Sequence, residues 1–340
     1  MLGPGTALIL FYQKQIKMKA VVAYPNGTIA ENGHFPEPVA QHRDEMLVTV
    51  KAVAIKHFDK SRATGQHYSS DGAQEDGRII GGDGVCLLPN GKRVYAIGET
   101  GMMAEKAIID RDRIVPIPAG VDDALAAALP NAVIGAAMGL KFKADIQRGD
   151  IVLINGATGF TGRVAVQIAK YLGAKKVIVT GRNPESLKDL LLLGADEIIS
   201  VMQDDEPFKK QLSAIHAQTP IDIIIDYLWG HPAELILSCI KGKGLFNNKI
   251  RFVSVGSMTG DTIQLSAAIL RSIDLQLTGS GLGAWTKSQV GQFFSDIMPE
   301  AFRLAAKGKL KAGTVAIPMS NLASLWEVAV PNGQRLVVTI

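Results

Sequence analysis

The stretch from Ile154 to Gly162, "INGATGFTG", closes the apolar run "DIVLING" and opens the helical pattern "GRVAVQIAKYLGA". A strand ending at Asn155 delivers a turn that carries Gly156, Gly159 and Gly162. The helix that begins near Phe160–Gly162 points its free N–H groups and the positive end of its dipole at whatever occupies the turn, which suits a pyrophosphate. Gly159 lets backbone approach the phosphates, and Gly162 lets the helix pack closely on the strand. Ala157 stands where the commonest fingerprint has its second glycine. Gly156, Ala157, Gly159, Phe160, Thr161 and Gly162 are therefore the expected contacts of a dinucleotide.

The pattern around this loop sets the fold class. Downstream, "KKVIVTG" reads as a strand and "PESLKDLLLLGA" as a helix, with Pro184 near its start and Gly194 past its end. "IDIIIDYL", "IRFVSVG" and "LQLTGSG" are further strands separated by helical stretches. Such alternation predicts a parallel, doubly wound sheet. Upstream the chain is β-rich: "MKAVVAY" from Met18, "MLVTVKAVAI" from Met46, and short glycine-broken strands in "RIIGGDGVCLLPNGKRVYAIG". Val115–Gly120, "VPIPAG", reads as a loop. Asp122 or Asp123 caps an Ala-rich helix that Pro130 is expected to break or kink. The chain closes with a long helical pattern, a Pro-Asn-Gly turn at 331–333 and the strand "QRLVVTI".

Composition narrows the function classes. A chain of 340 residues has room for two ordinary domains. Its net charge of +4 is mild, with no Lys/Arg block and no basic–aromatic interleaving, so nucleic acid is not an expected partner. The two cysteines, Cys86 and Cys239, form no Cys-x-x-Cys pair, which excludes a four-cysteine zinc site. Both sit among apolar residues and are expected as buried free thiols in a reducing compartment. No apolar run is expected to reach the ~20 residues of a membrane span, and the first 17 residues lack a basic start and a clear cleavage site. The expectation is a cytoplasmic protein with an N-terminal appendage at 1–17.

Two families share such a loop. The short-chain dehydrogenases expect it at the chain start and a Tyr-x-x-x-Lys much later. The Tyr-x-x-x-Lys found here, Tyr171 to Lys175, lies at the end of the helix that the loop itself opens, remote from the strand ends where ligands bind. The medium-chain reading fits more residues. "NGATGFTGRVAVQIAKYLGA" resembles that family's cofactor segment, "AAALPNAVIGAAMGL" the helix before it, and "VKAVAIKHFDKSRATG" its first catalytic-domain motif. "LLGADEIIS", "IDIIIDYLWG", "FVSVGSMTG" and "LAAKGKLKAG" follow in family order. The resemblance is to the zinc-independent, quinone oxidoreductase-like branch and runs from about Met18 to Ile340.

That resemblance implies a GroES-like β domain over 18–125, completed by 288–340, with a Rossmann domain over 126–287 and an active site in the cleft between them. It implies no metal: zinc-using relatives place a cysteine near Lys56 or His57 and a Gly-His-Glu at Gly81-Gly82-Asp83, and neither is present. The histidines show no paired spacing. It puts Lys56 and Asp59 at the cleft. Lys56 is placed either to steady an enolate or phenolate through charge or to form a structural pair with Asp59. Val255, Gly256, Ser257, Gly279 and Ser280 are expected to border the nicotinamide. Gly135 replaces a threonine that often touches the nicotinamide amide, and Arg335 takes the place of a lysine. A homodimer through the last Rossmann strand is also implied.

The end of the second Rossmann strand chooses the cofactor. An acid there would bind a ribose 2′-hydroxyl. The residues are Thr180, then Arg182 and Asn183, with no acid. Arg182 can fork onto a 2′-phosphate, so NADPH is expected; the alternative is a solvated turn arginine. Relatives use a lysine a few residues later, where Ser186 stands. Without zinc, a quinone or an α,β-unsaturated carbonyl is the expected acceptor, because its developing oxyanion is delocalised. A 2-enoyl thioester or alkenal reductase is the first alternative, and a low-turnover NADPH-binding sensor the second. Water or Tyr68 is the candidate proton donor.

Overall fold

The computed structural model describes residues 16–24, 29–56, 59, 77–242, 248–321 and 327–340. His57, His67, Tyr68 and the N-terminal 1–15 lie outside the described residues.

The first half folds as β-structure. Strands β1 (Lys17–Ala23), β2 (Ile29–Pro36), β3 (Glu45–Ala54), β4 (Arg78–Ile79), β5 (Asp83–Leu87), β6 (Arg93–Gly98) and β7 (Lys106–Pro116) follow one another. β2, β1 and β4 form a small three-stranded sheet. β3 pairs with both β5 and β7, and β6 joins those two, so these strands close on themselves. Val115 and Pro116 belong to β7, because Tyr95 of β6 pairs with Val115. The loop expected from Val115 therefore begins two residues later.

Asp122 caps helix α1 (Asp123–Val133), accepting the Leu125 N–H. Pro130 does not break it. Pro130 and the residues Ala126–Leu129 are buried, and the helix runs on as an i→i+5 stretch, Ile134–Lys143. Tertiary packing outweighs the proline's missing donor here, and the wider turn begins four residues beyond it. The combined Asp123–Lys143 helix is long and apolar enough to cross a membrane by length and composition, contrary to expectation; 67% of its most apolar window is buried inside the protein.

The second half is the parallel sheet. Its strands are β8 (Ile151–Asn155), β9 (Lys176–Gly181), β10 (Glu197–Ser200), β11 (Ile223–Asp226), β12 (Ile250–Ser254) and β13 (Leu275–Gly279). Their order is β10-β9-β8-β11-β12-β13, all parallel. Every residue of β8 and β11 is buried, which explains their unbroken apolar runs. The strand order reverses between β8 and β11, and a doubly wound sheet opens its crevice at such a point, above the carboxyl ends. Helix α2 (Phe160–Tyr171) follows β8, and helix α3 (Pro184–Leu192) follows β9. The last strands, β14 (Gly313–Pro318) and β15 (Gln334–Thr339), return to the first half: β15 pairs with β3. The fold is the expected GroES-like β assembly joined to a Rossmann sheet.

Candidate cofactor and acceptor site

The glycine loop sits at the switch point on a buried polar scaffold. Thr180 Oγ1 donates to Asn155 Oδ1 at 2.6 Å and accepts the Gly156 N–H at 3.0 Å. Asn155 Nδ2 donates to Asp226 Oδ1 at 2.7 Å. All three side chains are fully buried, so the chain ties β9, β8 and β11 together beneath the loop. Burial raises the Asp226 carboxyl, opposed by N–H donors from Leu228, Asn155 and Trp229. Thr180 thus faces the underside of the loop, and its hydroxyl is engaged within the protein. Asn155 and Asp226 carry no nucleotide signal in the sequence; only the pairing of their strands brings them together.

Each loop glycine answers a different constraint. Gly156 has φ +82°, and a Cβ there would lie 2.7 Å from Leu228. At Gly162 a Cβ would lie 2.5 Å from the Ala157 backbone, so α2 could not approach β8. At Gly159 a Cβ would meet nothing within 4 Å. Gly159 is also the N-cap of α2, with no side-chain cap, so the N–H groups at Phe160, Thr161 and Gly162 point out of an uncapped helix end.

Arg335 of β15 completes this corner from the other sheet. Its guanidinium stacks over the Phe160 ring at 4.7 Å and donates to Ile55 O at 3.4 Å. It is only 9% exposed, and its Nε has no hydrogen-bond partner among the described residues. Burial weakens the arginine's hold on its proton, lowering its pKa, while Asp59 and Asp83 oppose that shift. A buried, unpartnered N–H beside an uncapped helix terminus and open space at Gly159 fits a dinucleotide pyrophosphate.

The remaining expected contacts ring the same strand ends. Arg182 is exposed after β9, and nothing among the described residues pairs with it. Asn183 caps α3 by accepting the Ser186 N–H at 2.8 Å, so its side chain shapes the helix start. Val255 and Gly256 follow β12 with their N–H groups on Asp226 O at 2.8 and 3.2 Å, and Ser257 beyond them is exposed. Gly279 ends β13 beside open space, and the Ser280 hydroxyl is buried without a hydrogen-bond partner among the described residues. Gly135 is closely packed, and a side chain there would press on its neighbours. A Cβ there would lie 3.0 Å from Thr161 and 3.5 Å from Val255, and Tyr227 donates its hydroxyl to Gly135 O at 3.0 Å.

Lys56 and Asp59 form a second cluster, joined to the first through Arg335. The Lys56 ammonium pairs with Asp83, and Asp59 Oδ2 lies 3.5 Å away. Asp83 was not singled out as a partner by sequence, because 27 residues separate it from Lys56. Among the described residues no group of three or more His, Cys, Asp or Glu could hold a metal ion. Tyr171 lies at the far end of α2, half exposed, with its hydroxyl on Glu300, away from both clusters.

Comparison with known proteins agrees with this geometry. A family model described as zinc-binding dehydrogenase matches residues 161–298. The "Probable NADPH-dependent quinone reductase tdiC" of Emericella nidulans is 26% identical over 344 residues, covering 89% of this chain and 94% of that protein. A quinone oxidoreductase-like protein 2 homolog of Nematostella vectensis is 27% identical over 276 residues, 78% of this chain and 73% of that protein. A stretch of a mycocerosic acid synthase-like polyketide synthase of Mycobacterium tuberculosis is 31% identical over 194 residues, 55% of this chain and 9% of that protein. The quinone oxidoreductase of Thermus thermophilus, solved alone and with NADPH, superposes with a TM-score of 0.75 at 23% identity, over 95% of this chain and all of that one, which establishes the shared fold. Over most of its length the chain is thus similar to quinone oxidoreductase-like members of the medium-chain dehydrogenase/reductase family.

Proposed function

We propose that the protein is an NADPH-dependent reductase that delivers hydride to a quinone or another activated, α,β-unsaturated carbonyl acceptor. The observation that carries this reading is the corner formed by Gly159, the uncapped start of α2 and the buried Arg335 guanidinium, whose Nε has no hydrogen-bond partner among the described residues. The bound nicotinamide supplies the hydride. The chain's own residues grip, orient and balance charge. The α2 terminus and Arg335 hold the pyrophosphate. Arg182 forks onto the 2′-phosphate, and Ser280 with the Val255–Ser257 backbone borders the nicotinamide. Lys56, neighboured by Asp59, meets the acceptor oxygen that gains charge.

The reaction proceeds without zinc in this reading. Support comes from Lys56 and Asp83, which stand where the resemblance puts zinc ligands in other branches and here pair with each other. The working form is a cytoplasmic homodimer; β13 supports this, since its outer edge pairs with no strand among the described residues.

The test is a panel. Purified protein is given NADPH or NADH with a quinone, an alkenal and a crotonyl thioester, and loss of the reduced cofactor is followed. NADPH-preferring turnover with the quinone or alkenal is expected. The match to a polyketide synthase segment favours including the thioester, and turnover with that acceptor alone would replace the reading by an enoyl thioester reductase. Tight NADPH binding with no oxidation across the panel would identify a binding protein instead.

A further inference from the structure

Lys56 is held by a short chain of buried groups. One Asp83 oxygen pairs with the Lys56 ammonium, and the other accepts the Tyr95 hydroxyl at 2.9 Å. The strand register builds this contact. Val85 of β5 pairs with Tyr95 of β6, so Asp83, two residues before Val85, is Tyr95's diagonal neighbour on the same face. Asp59 approaches from the other side and accepts the Lys56 backbone N–H at 2.9 Å. Lys56 and Asp59 are each 4% exposed, and Tyr95 1%. Among the described residues, the charged and titratable groups that face Lys56 are Asp59, Asp83 and Arg335, with Tyr95 behind Asp83.

The balance of these groups decides the charge on Lys56. Burial pulls its proton affinity down, and Arg335 adds to that. Asp59 and Asp83 oppose both, and the net shift is upward. An ammonium has three N–H donors. Two carboxylates flank this one, which leaves a direction for a third oxygen. A fixed cation in a water-poor site is worth most where negative charge develops.

We infer that Asp83 and Tyr95 are positioning residues that hold the Lys56 ammonium, proton retained, toward the acceptor oxygen that becomes an oxyanion. The inference rests on the proposed reduction. In that step two electrons and a proton arrive as hydride on the acceptor. The carbonyl π pair moves to oxygen, Lys56 stabilises the resulting charge without giving up its proton, and water later protonates the product. Asp83 keeps Lys56 charged; Tyr95 keeps Asp83 turned toward it.

The probe is 4-nitrophenol, whose phenolate is coloured and carries the oxyanion that the reduction would create. Binding to the full-length protein is titrated by absorbance over a pH series, with no turnover required. The wild type is expected to prefer the phenolate and to keep that preference to alkaline pH. Lys56→Met should weaken phenolate binding at least tenfold. Asp83→Asn, which still accepts from Tyr95, should move the pH midpoint at which the preference is lost downward, because Lys56 then sheds its proton earlier. Tyr95→Phe should move it the same way by less, and serves if Asp83→Asn does not fold. A purely structural role would lower melting temperature and affinity at every pH and leave the midpoint in place. An unmoved midpoint in the folded variants overturns the positioning role even where Lys56→Met abolishes phenolate binding. Absence of any phenolate preference in the wild type, or an unchanged preference in Lys56→Met, overturns it at Lys56 itself. Failure of the acceptor panel, by contrast, would remove the proposed reaction and leave this measurement readable.

Discussion

Asn332 donates its side-chain amide to Ser186 Oγ at 2.8 Å, which fastens the last Pro-Asn-Gly turn to the start of α3 beside Arg182. The contact is one of several along a single track. Gly333 abuts Arg163, whose Nε reaches Thr158 O at 3.2 Å. Gln167 exchanges hydrogen bonds with the Lys311 backbone at 2.8 and 2.7 Å, and Arg335 stacks on Phe160. The C-terminal segment therefore runs along α2 at 160, 163 and 167, one face of that helix. It also belongs, through β15, to the β-rich sheet.

This track predicts a coupled loss at Gly333. Its φ is +77°, and a Cβ would lie 2.1 Å from Arg163 Nε. Gly333→Ala should cost on the order of 1–3 kcal/mol from strain at that φ. It should also weaken NADPH binding, because Arg163 must shift from the Thr158 carbonyl. Thermal melts with and without NADPH check both effects. A variant with wild-type stability and affinity would refute the coupling.

The loop glycines predict opposite signatures. Gly162→Ala drives a Cβ into the Ala157 backbone, so the fold itself should suffer, with a lower melting temperature before any ligand is added. Gly159→Ala places its methyl in open space, and stability should be close to wild type. Its loss should be in NADPH affinity, since the methyl occupies the approach to the pyrophosphate. Calorimetric titration beside a melt separates the two. Equal stability losses would contradict the assignment of Gly159 to the ligand.

How far the sequence carried is visible in these same residues. The loop, its strand and its helix were legible because Gly156, Gly159 and Gly162 lie within seven positions of one another and their constraints are local. At Val115, and at the break that was one of the two outcomes expected of Pro130, pairing with Tyr95 and burial of α1 overrode local chemistry. Thr180 lay at the expected strand end, but its hydroxyl is committed to Asn155, a contact set by the pairing of β8 with β9. Tyr95 and Asp226 carry no motif, Asp83 none that points to Lys56, and Asn332 only a turn signal. They matter through partners 12 to 146 residues away, and only the folded register supplies those.

Removal of Arg182 should separate the two cofactors. Its exposed guanidinium follows β9, and no acid shares the strand end. One charged hydrogen bond is worth roughly 1.5–3 kcal/mol, or about 10- to 100-fold in affinity. Arg182→Ala should raise the NADPH dissociation constant by that factor and leave NADH nearly unchanged. A parallel loss for both cofactors would mean that Arg182 supports the fold or the ribose, not the 2′-phosphate.

Thr180→Val keeps the shape of the side chain and deletes the hydroxyl that joins Asn155 to the Gly156 N–H. Two buried groups lose a partner, which costs about 1–3 kcal/mol for each such group. The melting temperature should fall, and the glycine loop should exchange its amide hydrogens faster. NADPH affinity should fall through the loop, for NADH as much as for NADPH. Hydrogen exchange localised to residues 155–162 is the measurement; unchanged exchange there would show that the loop holds its shape without this hydroxyl.

The Cys86 thiol gives a pH prediction with a definite sign. It lies in β5 at 0% exposure, and burial pushes it up to about 12 from an ordinary value of 9. Between those values the unfolded chain releases the thiol proton and the folded chain keeps it. The folded state then binds more protons, so this group's contribution to stability is intact below pH 9 and is lost as pH rises toward 12. Cys86→Ala removes that titration, and its stability should decline less steeply than wild type over the same range. The same burial keeps the thiol protonated and shielded at pH 8, so a thiol reagent should modify it only as fast as the protein unfolds. Rapid modification of Cys86 in the folded protein, or parallel stability curves for the two proteins, would show that the thiol is not held in the way the fold dictates.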